Sequence, residues 1–255
     1  MKKLLLFDVD GTITESGQIL DESMRHQIQS MTPKYDIGIV GGGKMEKIIE
    51  QLGSNNFFHH YFSECGCVYY KNKSVKELKL ELQYIKNIRH HELYQEMNLL
   101  VKTCLLFLSK VDYQVSGHFI DLRNGIIYVS LIGMSATLEE RKNFMDLDKK
   151  HNYRESLLKL LKNETIRLDI STKISICEGG CVGIAIYPQE YDKIQVLEYL
   201  IPEYQEIHYF GDKYHKNGND YHLIGHPNVI GHPVDDIQDT KLILNEIKKI
   251  DFNSQ

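Results

Sequence analysis

With 42% hydrophobic and 25% charged residues, the 255-residue chain has the composition of an ordinary globular protein. It is long enough for one large domain or two modest ones. A net charge of −5 argues against a general binder of nucleic acid or of membrane surfaces, and no apolar run approaches the ~20 residues of a membrane span. Met1-Lys2-Lys3 with Leu4–Phe7 imitates a secretory leader but meets Asp8 at once, so secretion is not expected. Cys65, Cys67, Cys104, Cys177 and Cys181 are odd in number and irregularly spaced; they read as reduced thiols of a cytoplasmic protein, not as a zinc site.

Leu4–Phe7 is a continuous apolar run, the pattern of a strand buried on both faces. Asp21–Met31 has helical spacing with Asp21 as N-cap, and Asp36–Val40 is a second strand closed by Gly41-Gly42-Gly43. Lys44–Leu52 is a helix ended by Gly53, and Val68–Tyr70 a strand before the charged stretch Lys71–Lys79. The middle changes character. Glu77–Ser109 reads as mostly helical, followed by strands at Val115–Leu122 and Ile126–Ile132, a helix at Leu138–Lys162, and strands at Arg167–Ile176 and Cys181–Tyr187. β-branched and aromatic residues joined by Asn-Gly and Gly-Gly turns predict an antiparallel sheet. From Pro188 the first character returns, with a helix at Asp192–Ile201, strands at Ile207–Phe210 and Asn228–Ile230, and a terminal helix at Asp239–Ile250. The pattern predicts an α/β core with a parallel sheet over 1–81 and 189–255, and an inserted α+β domain over 82–188. The cleft between them is the expected site.

Directly behind the first strand stands Asp8-Val9-Asp10-Gly11-Thr12. Residues at i and i+2 of extended chain point the same way. Asp8 and Asp10 are therefore predicted to converge past the C-terminal end of the strand, where open α/β sheets bind ligands. Two carboxylates gathered there suit Mg²⁺, and with a metal in place one can attack a phosphoryl group while the other handles a proton. The plain alternative is a solvated turn. The amides of Gly41 and Gly42 could cradle phosphoryl oxygens or simply form a turn.

Asp8–Thr12 resembles the first motif of the haloacid dehalogenase (HAD) superfamily, and Gly211-Asp212-Lys213 with Asn219-Asp220 is similar to its acidic metal motif. Phe119–Gly125, Val129-Ser130, Ile132-Gly133, Glu139-Glu140-Arg141 and Asp148-Lys149-Lys150 resemble the cap of the eukaryotic-type phosphomannomutases. Val40-Gly41-Gly42, Lys47, Glu50–Gly53 and Tyr191-Asp192-Lys193 fit the same family. The resemblance implies a HAD-type Rossmann-like core with a cap carrying an antiparallel sheet. It makes Asp8 the nucleophile, Asp10 the general acid/base, and Lys193 the partner of nucleophile and phosphate. Mg²⁺ would be held by Asp8, the Asp10 backbone carbonyl and Asp212, with Asp220 in support. Arg123 and Arg141 would hold the substrate's second phosphate, to which a guanidinium fork is suited; the other reading of Arg141 is a solvated residue paired with Glu139 or Asp148. A homodimer through the cap is also implied. The apolar segments Leu99-Leu100-Val101 and Cys104–Leu108 could form its surface or equally cover the cap's own sheet.

The resemblance has gaps. The arginine that the family carries shortly after its DGT motif is Gly17 here, and the one after the cap's Ile-Gly is Met134. The sugar-binding serine and aspartate are Gly183 and Ala185, and a phosphate-side serine is Gly43. A hydrogen bond to a charged group contributes roughly 1.5–3 kcal/mol, so these changes bear on specificity and leave the chemical core intact. The leading expectation is a mutase of mannose 6-phosphate and mannose 1-phosphate acting through an aspartyl-phosphate. The alternatives are a Mg²⁺-dependent phosphatase of relaxed sugar-phosphate specificity and a non-catalytic sugar-phosphate sensor. The partner is a hexose phosphate or other small phosphorylated substrate, not nucleic acid or membrane.

Overall fold

The apolar run Leu4–Phe7 needs cover on both faces. In the computed structural model, which describes residues 2–53, 57–74, 77–216 and 218–252, it lies inside a seven-stranded sheet. The chain enters through β1 (Lys3–Phe7), α1 (Glu22–Gln29), β2 (Asp36–Val40), α2 (Met45–Leu52), β3 (Phe58–Ser63), β4 (Val68–Asn72) and β5 (Leu80–Ile85). It then builds α3 (Tyr94–Leu108), β6 (Ile120–Leu122), β7 (Ile127–Ser130), α4 (Leu138–His151), α5 (Tyr153–Arg167), β8 (Ile174–Gly179) and β9 (Gly183–Pro188). It closes through α6 (Leu197–Leu200), β10 (Glu206–Gly211), α7 (Tyr221–Ile224), β11 (Ile230–Pro233) and α8 (Ile237–Phe252). Two units result: Met1–Ile85 with Tyr191–Gln255, and Lys86–Glu190.

The first unit carries the sheet β11-β10-β1-β2-β3-β4-β5, in which β11 to β3 run parallel and β4 and β5 antiparallel. Successive residues of β1 point to opposite faces, and both faces are covered. Leu5 and Phe7 pack with Met24 and Ile28 of α1, Ile48 and Leu52 of α2, and Leu244 and Ile247 of α8. Leu4 and Leu6 pack with Val40, Phe62, Leu197, Leu200 and Leu223 on the other side. Burying one such side chain contributes roughly 1.5–3 kcal/mol, so the run fixes β1 at the centre of the sheet. The second unit carries a four-stranded antiparallel sheet, β6-β7-β9-β8. None of the described helices is long and apolar enough to cross a membrane.

Several elements differ from expectation, each for a physical reason. Leu80–Ile85 is a strand, not the start of a long helix, because its Leu-Glu-Leu-Gln-Tyr-Ile alternation pairs with β4. Strand β3 has no counterpart in the sequence reading: its His59-His60 pair reads as polar, yet His60 is fully buried. The helix expected over 138–162 is two helices, broken at Asn152 in the left-handed region (φ 54°), which asparagine tolerates. Helix α5 runs on to Arg167, so the next strand starts only at Ile174. The helix expected over Asp192–Ile201 opens as a 3₁₀ turn, Lys193–Val196. Val75 and Lys76, in the charged stretch, lie outside the described residues.

Candidate active site

Asp8 follows β1 and donates its amide to Phe210 O (2.9 Å), which prolongs the parallel ladder by one step and fixes the carboxylate at the C-terminal edge of the sheet. Asp212 follows β10 in the neighbouring strand, and Asp220 sits at the start of α7. Ligand oxygens of Asp8, Asp212 and Asp220 lie within 4.8 Å of one another. Two glycines permit this crowding. Gly11 has φ +88°, and a Cβ on it would come within 2.5 Å of Asp212 Oδ2; a Cβ on Gly211 would come within 2.6 Å of Asp220 Cγ. The glycines of both acidic motifs thus give backbone room to carboxylates.

Lys193 Nζ enters this cluster, 2.5 Å from Asp8 Oδ1 and 2.7 Å from Asp220 Oδ1, and is 1% exposed. Tyr209 Oη donates to the same Asp220 oxygen, and the Lys213 amide to Asp220 Oδ2 (2.9 Å). Burial lifts the Asp8 pKa, Lys193 opposes that rise, and Asp220 and Asp212 reinforce it. Burial works against the Lys193 charge, but Asp220 and Asp8 hold its pKa well above the ordinary lysine value. Lys213 Nζ bonds Asp212 Oδ2 from the exposed side, while Asp212 Oδ1 is buried with no hydrogen-bond partner. Three carboxylates around one buried ammonium leave uncompensated negative charge, and one of their buried oxygens has no hydrogen-bond partner. An all-oxygen donor set of this kind fits a hard divalent cation. Asp8, Asp212 and Asp220 are the side chains placed to hold one.

Asp10 goes elsewhere. Val9 lies in a bend, so the period of two does not carry past Phe7, and the Asp10 carboxylate is not part of the cluster that Asp8 forms with Asp212 and Asp220. Asp10 Oδ1 accepts from the Gly17 amide (2.7 Å) and from Gln51 Nε2 (2.8 Å), and Oδ2 from Lys47 Nζ (3.1 Å). Burial pushes its pKa up, but the Gly17 amide, Lys47 and Gln51 outweigh it and hold the carboxyl below its usual value. The loop itself is pinned: Thr14 Oγ1 donates to Val9 O (3.2 Å) and Thr240 Oγ1, from α8, to Thr12 O (2.8 Å). Gly41 departs from expectation as well. Its amide donates to Phe62 O (2.9 Å), extending the β2–β3 ladder, so it is not available to an anion. Gly42 has the Cys65 thiol as its neighbour: a Cβ there would lie 3.8 Å from Sγ.

In the second unit, Arg123 Nε donates to Asp121 Oδ2 (2.8 Å) and its guanidinium lies 5.0 Å from the centre of the Tyr128 ring. Arg141 pairs with neither Glu139 nor Asp148. It donates to Ala136 O (3.0 Å) and Met134 O (3.1 Å), while Asp148 is taken by Arg154 (2.6 Å). Burial pushes the Tyr128 phenol up, and the positive charges of Arg123 and Arg141 oppose that rise. Gly183 is small because the Tyr128 ring crosses it, 2.4 Å from where a Cβ would stand. Tyr209 is a site residue that sequence reasoning missed, since nothing local distinguishes it, and Lys213 was noted only as part of the acidic motif, with no assigned chemistry. Gln51 and Lys47 lay within family-like segments but had no assigned chemistry.

Residues 24–250 match the family model for eukaryotic phosphomannomutase. Phosphomannomutase 1 of Mus musculus is 36% identical over 243 residues, covering 93% of this chain and 88% of the relative. The phosphomannomutase of Saccharomyces cerevisiae is 35% identical over 248 residues, covering 96% and 93%. Among solved structures, an IMP-bound mutant of Plasmodium falciparum IMP-nucleotidase superposes with a TM-score of 0.67 at 19% identity, over 96% of this chain and 68% of that one. Aspergillus fumigatus trehalose-6-phosphate phosphatase gives 0.52 at 13% identity, over 97% and 93%. Those two likenesses speak for the HAD-type fold. The extent and identity of the sequence matches go further, and the chain belongs to the eukaryotic phosphomannomutase family.

Proposed function

We propose that this protein interconverts mannose 6-phosphate and mannose 1-phosphate by way of a phosphoryl group carried on Asp8, with Mg²⁺ as its metal. The observation that carries this reading is Asp8 itself: a buried carboxylate at the end of β1, 2.5 Å from a buried lysine and beside an acidic pair with an unmet oxygen. Asp8 Oδ attacks the phosphorus, and the sugar oxygen leaves. Lys193 offsets charge on Asp8 and on the incoming phosphoryl oxygens, and Asp220 holds Lys193 in place. Asp10, ionised at neutral pH by its three donors, accepts the proton of the sugar hydroxyl that is to be phosphorylated and returns it to the oxygen that departs. When bound, Mg²⁺ supplies neutralisation between the carboxylates and the phosphoryl group, the main task in phosphoryl transfer.

Arg123 and Arg141 are assigned to the phosphate that is not transferred, and residues 86–190 to the role of substrate domain. Two further parts of the proposal rest on separate observations. The exposed Leu105 and Leu106 of α3 and Ile166 of α5 support a homodimer through that domain, and five cysteines outside any disulfide suit a reducing cytoplasm. The test is ³¹P NMR of the hexose 1- and 6-phosphates with the bisphosphate and Mg²⁺. The wild type should exchange them and Asp8→Asn should not. A variant that kept more than about a hundredth of the wild-type rate would refute Asp8 as a covalent nucleophile.

A further inference from the structure

Lys193 begins a four-residue 3₁₀ turn, an element too short and too loosely bonded to fix a side chain by itself. Its position is set from outside. Asp192 caps the turn, with Oδ1 accepting from the Lys193 amide (2.7 Å), and Oδ2 of the same carboxylate accepts from His222 Nδ1 (2.7 Å). His222 lies on α7, two residues beyond Asp220. Neighbouring residues 192 and 193 therefore grip residues 222 and 220, which are themselves neighbours on one helical turn. Gln195 Nε2, bonded to Cys65 O (2.9 Å), ties down the far end of the turn.

We propose that His222 is a positioning residue: through Asp192 it locks the Lys193 turn against α7 and so sets where the Lys193 ammonium stands between Asp8 and Asp220. The pair is uneven, with the Asp192 side chain 9% exposed and that of His222 51%. A half-exposed donor adds little to global stability. Its loss leaves a buried carboxylate oxygen without a partner, and Asp192 is then free to turn away from the amide it caps. The displacement passes straight to the next residue, whose ammonium must meet two carboxylates at once. A misplacement on the scale of an ångström is enough to slow chemistry. This inference rests on the roles of Asp8 and Lys193 proposed above.

The test compares His222→Ala with His222→Asn in the full chain with Mg²⁺. In Asn the side-chain amide can still donate to Asp192. The alanine variant should lose about 5–20-fold in kcat, with KM for the hexose phosphate within about twofold and Tm lowered by no more than about 4 °C from wild type. The asparagine variant should recover most of the loss. A second reading needs no turnover. An ammonium this deeply buried exchanges slowly and gives its own ¹H–¹⁵N signal, which should broaden in His222→Ala and persist in His222→Asn. Equal losses in the two variants, a loss that tracks Tm, or an altered signal with unchanged kcat would each overturn the proposal. If Asp8→Asn proved active, the catalytic reading would fail, while the ammonium signal would still report on the clamp.

Discussion

Asp10 shows how a single residue's task is written into its donors. Held below the usual carboxylate value by Gly17, Lys47 and Gln51, it is ionised at rest, which suits the base role proposed for it. Asp10→Asn should cost much more with a poor leaving group than with a good one, because only the former needs the returned proton; equal losses in steady-state kinetics would remove it from that role. Lys47→Met deletes one partner of the charged form. The sign follows: the Asp10 pKa rises, and the acid limb of the kcat/KM profile moves to higher pH, which a titration of rate against pH checks. Asp8, Asp10 and Gly11 stood out because they are local, within four residues behind one apolar strand, although the placement of the Asp10 carboxylate did not follow from that spacing. Gln51 was not, since what it does depends on a loop 41 positions upstream.

At the scale of elements, β3 is the instructive miss. A His-His pair hides a buried strand because the satisfaction of His60 comes entirely from other elements. Tyr204 Oη donates to Asp36 Oδ2 (2.7 Å), so His60 Nε2 must donate to Tyr204 Oη (2.6 Å), and Nδ1 accepts from Tyr69 Oη (2.8 Å). With the ring neutral, the chain of bonds runs one way. Burial, with Lys71 adding to it, lowers the His60 pKa to about 3. Between that value and the unfolded value of about 6.5, the unfolded chain binds a proton that the native one refuses. Stability should therefore fall as pH drops through this window, by up to about 1.4 kcal/mol per pH unit from this group. Urea unfolding at several pH values would show it, and His60→Gln should flatten the slope; an unchanged slope would point to other groups. The helix break at Asn152 and the strand β5 were hidden for a related reason, in that pairing and packing decided between patterns that local spacing left equal.

For the whole molecule, the proposed dimer makes a direct prediction. Light scattering at micromolar concentration should give about twice 29.7 kDa, and Leu106→Glu, at a position 60% exposed, should halve it without lowering Tm. The change of character near Pro188 led the sequence reading to expect two parts, but no local pattern could say how a chain tolerates the carboxylates it gathers. Asp8, Asp212 and Asp220 are brought together by folding and lie far apart in the unfolded polymer. Their mutual repulsion is thus a property of the native state alone, and whatever relieves it becomes a ligand of folding. Millimolar Mg²⁺ should raise Tm in proportion to the logarithm of its concentration above Kd. Asp212→Asn, judged by calorimetry, should raise the metal-free Tm and abolish that dependence; a lower metal-free Tm would show that Asp212 is held more by Lys213 than strained by its neighbours. The melting curve of this protein is in that sense a cation sensor, reporting occupancy of a catalytic centre in which no substrate has yet been turned over.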